Sequence, residues 1–324
     1  MAVIELQSRA GRRGGEQLGC QQGKKSHYQS ADDSFCGTQN HGRTFSFGRQ
    51  PISSIEHPLA DCYKIGGEIF STMQLHFKES GQGKTIILLH GMFGSLDNWH
   101  PIALRLAEIF HVIAVDQRNH GQSPHHAEMN YSLMASEVNE LMAARGIESA
   151  HVIGHSMGGK TAMQLALQFP ACVEKLVVAD MAPRTYAPAH EKIFAALLAL
   201  DLLKFQSRSQ IEDALAVEIP DLVLRRFLLK NLGRDSAGVF FWKINLRGIA
   251  ENYSHLREPL HAASPFIKPT LFIRGGKSNY VNAEDEVRIR ELFPQAQIQT
   301  IPDAAHWIHA EQPAEFLRLV LDFL

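Results

Sequence analysis

Residues 150–169 read Ala150-His-Val-Ile-Gly154-His-Ser156-Met-Gly158-Gly-Lys-Thr-Ala-Met-Gln-Leu-Ala-Leu-Gln-Phe169, and this stretch decides the fold. Ala150–Ile153 is a short, β-prone, largely apolar run. Lys160–Phe169 carries Ala162, Met163, Leu165, Ala166 and Phe169 at helical spacing and stops at Pro170. Between them lies Gly-x-Ser-x-Gly, a turn so sharp that both flanks need glycine for strand and helix to approach. Ser156 is then held at the tip of a sheet with its hydroxyl exposed. It also stands at a helix N-terminus, whose unpaired N–H groups and dipole favour a developing oxyanion. A chance match in a loop would lack the strand before and the helix after. Ser156 is therefore the candidate nucleophile.

Working outward, apolar strands alternate with amphipathic helices. Strand Thr85–His90 precedes helix Asp97–Glu108, and strand His111–Asp116 precedes helix Ser132–Arg145. The nucleophile segment comes next, followed by strand Lys175–Asp180. After a helical insertion come strand Thr270–Arg274, helix Ala283–Phe293, strand Gln297–Ile301 and a last helix from Pro313. Upstream, Met73–Phe77 alternates as a strand that Gly81-Gln-Gly83 turns. The alternation predicts an α/β fold with a mostly parallel, doubly wound sheet and helices on both faces. Such sheets bind ligands at the carboxyl ends of their strands. Every chemical motif of this chain falls at such an end.

The chain has 324 residues, enough for one large α/β domain with an insertion. Its formal charge of −2 leaves no basic surplus for nucleic acid or an anionic membrane. No apolar run reaches the ~20 residues needed to span a bilayer, and Met1-Ala-Val-Ile-Glu-Leu-Gln is no secretory signal. Of four cysteines, Cys20, Cys36 and Cys62 lie upstream and Cys172 has no mate within the domain. That usage points to a reducing, cytoplasmic compartment. No Cys/His spacing resembles a zinc site; His120, His125 and His126 read as a solvated polar loop. No metal and no cofactor is called for. Residues 1–72, rich in Gly, Gln, Ser, Arg and His, read as a disordered or spurious extension. Met73 is the expected initiator, with Gly67-Glu68 encodable by a purine-rich ribosome-binding sequence. A genuine tail or an organellar targeting segment is the competing expectation.

A serine hydroxyl needs a base, and for a nucleophile on such a turn the partners follow in the order acid, then histidine. His306, in Ile301-Pro-Asp-Ala-Ala-His306-Trp-Ile-His309, stands after the last strand. His309 would begin the helix and make a structural hydrogen bond, and His155 adjoins Ser156 on the strand, facing elsewhere. The acid is less simply read. Ser278 stands near the end of the Phe272-Ile-Arg-Gly-Gly strand, where an Asp is common. Asp180 ends the preceding strand, where a carboxylate after four apolar residues needs a partner. Its bland role is loop bracing, and Asp285, on an expected exposed helix, is a third option. Asp180 is favoured for its strand-end position. The oxyanion hole should combine the N–H of Met157 with that of Met92, in His90-Gly-Met92-Phe93-Gly94. His90, Asp116 and Arg118 read as bracing groups.

These blocks together resemble the α/β-hydrolase superfamily, and within it the YbfF-type acyl esterases and their mitochondrial abhydrolase relatives. The resemblance rests on His90-Gly-Met-Phe-Gly-Ser-Leu-Asp-Asn, Asp116-x-Arg-Asn-His-Gly-x-Ser-Pro and Gly154-His-Ser-Met-Gly-Gly-Lys. It extends to Asp180-x-Ala-Pro, Gly275-Gly-x-Ser-x-Tyr-Val and His306-Trp-Ile-His-Ala-Glu. It runs from Met73 to Leu324 and implies hydrolysis of carboxylic esters, extending to acyl-CoA thioesters, with the acid at Asp180. Ala305 departs from it, because the family usually has Gly before the His.

Residues from about Arg184 to Ser264 form a helical cap inserted before the last two strands. Its apolar helix faces mostly pack the cap onto the sheet domain. Phe93, Trp242 and some cap leucines are candidates for the wall of an acyl pocket. The sequence thus points to a Ser156–His306–Asp180 hydrolase acting through an acyl-enzyme on a small-molecule ester or thioester. A carbon–carbon bond hydrolase with the same triad, or a ligand-binding protein that kept the fold, are the alternatives. Oligomeric state is not legible.

Overall fold

The computed structural model describes residues 73–324, together with the backbone of Lys64–Ile65 and Glu68–Ile69, which pair as a two-residue antiparallel ladder. The other residues of the 1–72 extension lie outside the described part. Seven strands form one sheet: β1 (Phe77–Ser80), β2 (Thr85–Leu89), β3 (His111–Val115), β4 (Ala150–His155), β5 (Val173–Ala179), β6 (Thr270–Gly275) and β7 (Ala296–Ile301). Their spatial order is β1-β3-β2-β4-β5-β6-β7, with β1 antiparallel to β3 and every other pair parallel.

The central strands are apolar on both faces because helices cover both. Ile87 and Leu89 of β2 join one buried cluster, with residues of helices α2 (Tyr131–Ala144) and α3 (Met157–Gln168). Ile86 and Leu88 join a second, with Trp99 and Ile102 before and within α1 (His100–Leu106) and Phe316 and Val320 of the C-terminal helix Pro313–Phe323. Each such side chain contributes about 1.5–3 kcal/mol on burial. Asn130 accepts the Leu133 N–H at 2.9 Å and so fixes where α2 begins.

Two expectations shift. The antiparallel strand is Phe77–Ser80 and not Met73–Phe77, because Phe77 already pairs with Val115, the last residue of β3. His76 O still accepts the Asp116 N–H at 2.9 Å, beyond the last residue of β3, and Leu75 is buried. The helix expected from Asp97 to Glu108 is a 3₁₀ turn, Leu96–Trp99, followed by α1, with Pro101 early in that helix.

The chain leaves the sheet after β5 and returns at β6, and the excursion is the cap. It contains α4 (Glu191–Leu198), α5 (Arg208–Leu215), α6 (Leu222–Leu228), α7 (Leu246–Glu251) and α8 (Tyr253–Arg257), with an antiparallel hairpin of Leu232–Arg234 and Phe240–Trp242. Cap and sheet domain fall in one unit, Ala60–Leu324. Asparagines bolt them together: the Asn245 N–H donates to Asn119 O at 2.9 Å, and Asn252 Oδ1 accepts the Met129 N–H at 3.1 Å.

Candidate active site

Strand β4 delivers Ser156 into α3 with φ 54° and ψ −118°. A side-chain-bearing residue rarely adopts this backbone, at a cost of about 1–3 kcal/mol. The flanking glycines explain why it persists. A Cβ on Gly154 would lie 2.1 Å from Gly158 O, and one on Gly158 would lie 2.3 Å from Leu89 O. Strand, turn and neighbouring strand are in backbone contact, so no other residue fits. Ser156 N–H donates to Ala179 O at 3.1 Å, and Met157 is the first residue of α3, where an N–H has no intrahelical acceptor.

The three residues singled out from sequence come together. Ser156 Oγ donates to His306 Nε2 at 3.0 Å, and His306 Nδ1 donates to Asp180 Oδ2 at 2.7 Å. Asp180 is fully buried, whereas the His306 side chain keeps 22% of its exposure. The acid end of the chain of hydrogen bonds is thus sealed, whereas His306 and Ser156 are half-buried. Asp180 also accepts the Gly275 N–H on Oδ1 at 2.9 Å, and Ser278 Oγ donates to Oδ2. Ser278 therefore serves the acid on the neighbouring strand from the position where an acid is common. Tyr280 stacks face to face on His306, with centroids 3.7 Å apart and planes 15° from parallel. Sequence reasoning missed this contact; only the proximity of Tyr280 to Ser278 hinted at it. Ala305, where the resembling family has Gly, leaves both His306 hydrogen bonds in range.

The loop after β2 lies against the nucleophile: a Cβ on Gly91 would be 3.2 Å from Ser156 Cβ. Gly94 N–H closes the turn onto Gly91 O at 3.0 Å, and Phe93 takes φ 60°. The Phe93 N–H donates to His120 Nε2 at 3.3 Å, and Phe93 O accepts from Asn231 Nδ2 of the cap at 2.7 Å. Met92 N–H has no partner among the described residues. His120 donates from Nδ1 to Arg118 O at 2.9 Å, so its Nε2 is bare. Burial, aided by the nearby His90, drives its pKa down to about 3 and keeps it neutral. His90 is likewise depressed by burial; it donates from Nδ1 to Gly91 O at 2.8 Å and accepts Gln117 N–H at 3.1 Å. Bracing by Asp116 is equally direct, since Oδ1 accepts Leu96 N–H at 2.8 Å and Oδ2 accepts Gln122 N–H at 2.9 Å.

Other placements differ from expectation. His120 is fully buried and not solvated, because its ring packs 5.1 Å from that of His90 and accepts the Phe93 N–H. His309 Nδ1 has no hydrogen bond among the described residues; its ring packs 4.5 Å from Trp99 and 4.6 Å from His155, and burial lowers its pKa to about 3. His155 turns beneath the site and donates from Nε2 to His306 O at 2.9 Å, well depressed in pKa by burial. Asp285 is buried and not exposed, paired with Arg184 at 2.9 Å. Phe93 packs on Phe194 of the cap at 5.1 Å. Trp242 lines a cavity of about 340 Å³ with Leu197, Leu200, Leu202 and Leu246.

The chain has relatives among known proteins. A family described as the α/β hydrolase fold matches residues 84–313. The chain belongs to that family. It is 39% identical over 247 residues to the mouse sn-1-specific diacylglycerol lipase ABHD11, covering 74% of this chain and 80% of that protein. It is 37% identical over 242 residues to esterase YbfF of Escherichia coli, covering 74% and 92%. A solved marine microorganism esterase superposes with a TM-score of 0.76 at 42% identity, over 78% of this chain and all of that one. The fold and YbfF-type kinship expected from sequence are thereby established for this hydrolase. Among the described residues no helix is long and apolar enough to cross a membrane, and no group of His, Cys, Asp or Glu could hold a metal ion.

Proposed function

We propose that the chain is a carboxylic ester hydrolase that works by two-step acyl transfer through Ser156, His306 and Asp180. The observation that carries this reading is the continuous hydrogen-bonded path from a half-buried Ser156, through His306, to a sealed Asp180. The relatives named as esterases and lipases support the same reaction class.

His306 Nε2 takes the Ser156 proton as Oγ attacks the ester carbonyl carbon. The carbonyl π electrons move to oxygen, and the Met92 and Met157 N–H groups stabilise that oxyanion. Its collapse expels the alcohol, which takes the proton from His306 and leaves an acyl-Ser156 ester. Water, deprotonated by His306, then repeats the sequence and releases the carboxylic acid. Asp180 keeps Nδ1 of His306 protonated and stabilises the imidazolium formed in each half. Acyl-CoA thioesters undergo the same steps with thiolate leaving. The free, buried Cys172 supports a reducing, cytoplasmic setting.

A p-nitrophenyl ester series from acetate to palmitate tests the reading, with an acyl-CoA series beside it. Burst-phase release of p-nitrophenol, abolished by Ser156→Ala, is the expected result. No hydrolysis of any ester or thioester would refute it.

A further inference from the structure

The turn that carries Met92 is held in place by two side chains, and one of them belongs to the cap. Phe93 sits in the left-handed region at φ 60°, unfavourable for a large side chain. Such a conformation persists only where the surroundings over-determine it. Here each backbone polar group of Phe93 is clamped: the N–H by His120 Nε2 at 3.3 Å and the carbonyl by Asn231 Nδ2 at 2.7 Å. Asn231 is itself rigidly mounted. It is 4% exposed, its second amide proton goes to Leu228 O at 3.1 Å, and its own carbonyl accepts Lys243 N–H at 2.8 Å. The other clamp also depends on the cap, because the Asn245 N–H docks on Asn119 O, next to His120, at 2.9 Å.

We propose that Asn231 is a positioning residue of the oxyanion hole: through Phe93 O it holds the Gly91–Gly94 turn so that the Met92 amide faces the reacting carbonyl oxygen only when the cap is seated. This rests on the role of the Met92 amide given above. The cap is then part of the catalytic apparatus as well as a lid over the acyl group. Withdrawing Asn231 frees the Met92–Phe93 side of the turn to relax toward φ below zero, which rotates the adjoining peptide units. A donor displaced by about 1 Å forfeits on the order of 100-fold in rate, and a lost oxyanion donor costs about 100- to 1,000-fold.

The test compares Asn231→Ala with Asn252→Ala in the full chain. Asn252 ties the cap to Ala127 and Met129, at 2.6 and 3.1 Å, without touching the oxyanion turn. Three quantities are measured: kcat and KM for p-nitrophenyl butyrate, the inhibition constant of an alkyl trifluoromethyl ketone, whose adduct mimics the tetrahedral intermediate, and Tm. Asn231→Ala should lower kcat by about 10- to 100-fold with KM changed less than about 2-fold, and weaken the ketone by the same factor as kcat/KM. Asn252→Ala should lower Tm while leaving kcat within about 2-fold. Equal kcat losses in the two variants would overturn the proposal by making the effect one of general cap loosening. An Asn231→Ala enzyme with kcat unchanged, or with unaltered ketone affinity, would also overturn it. Hydrolysis by the unmodified chain, and its absence in Ser156→Ala, are recorded alongside. Failure of those two controls refutes the underlying reaction itself, whereas failure of the Asn231 comparison alone refutes only the cap linkage.

Discussion

Replacing Asp180 by Asn probes the one position whose assignment sequence left contested. The carboxylate lies 2.7 Å from His306 Nδ1 and is fully buried, so it meets the imidazolium of the transition state with little water between. At that separation and an effective dielectric of about 20, the attraction is about 6 kcal/mol. Spread over the barrier, that is a factor on the order of 10⁴ in kcat. The geometry adds a second penalty in the same direction. Gly275 N–H and Ser278 Oγ already donate to the carboxylate, so an amide NH₂ cannot satisfy all three donors. If the NH₂ faces His306, the imidazole must present bare Nδ1 and protonated Nε2, the wrong tautomer to accept the Ser156 proton. Steady-state hydrolysis of p-nitrophenyl butyrate should show kcat down by about 10⁴, with Tm measured to exclude misfolding. Ser278→Ala removes one of the donors and should cost about 10-fold; Asp285→Asn breaks the Arg184 pair and should leave kcat unchanged. A folded Asp180→Asn protein that keeps more than a tenth of its kcat would refute the assignment.

Three further outcomes follow from the packing. Gly158→Ala places a methyl 2.3 Å from Leu89 O, so Tm should fall and fluorophosphonate labelling of Ser156 should be lost even in the folded fraction. Arg118→Met strands the Glu137 carboxylate, whose pKa burial already raises against the pull of Arg118; urea unfolding should show a loss of about 3–5 kcal/mol. Buried imidazoles set the acid limit. His90, His120, His155 and His309 have folded pKa values below the ordinary 6.5. Below that value the unfolded chain takes up protons that the folded chain refuses, so stability falls as pH drops. His120 and His309, both lowered to about 3, each contribute a loss of about 2 kcal/mol by pH 5. Circular dichroism should therefore show steep acid unfolding between about pH 6 and 4, and His309→Phe should move its midpoint to lower pH.

Much of this was legible from residues 150–169 alone, because a Gly-x-Ser-x-Gly turn has one structural solution when a strand precedes it and a helix follows. The alternation of apolar strands and amphipathic helices gave the sheet, and chain order placed His306. The details that escaped depend on contacts between segments far apart in sequence. Asp285 reads as a surface helix residue because its partner, Arg184, is about a hundred positions away. His120 sits in a run of polar residues, and its burial comes with contacts to His90 and the Phe93 N–H, about thirty positions upstream. Asn231 carries no pattern at all: its meaning comes from a single hydrogen bond to the backbone of a strained residue.

The cap leaves the sheet directly after Asp180 and rejoins it just before the strand that ends at Gly275 and leads to Ser278. The departing seam thus adjoins the acid, the returning strand carries Gly275 to it at its far end, and the middle of the insertion reaches the oxyanion turn through Asn231. For anyone exchanging caps between related hydrolases to change substrate range, the insertion is therefore not a neutral cartridge. A donor cap must bring an amide of equivalent reach, and its splice points must spare the donors to the Asp180 carboxylate. A graft chosen only for the shape of its apolar wall would alter turnover together with specificity.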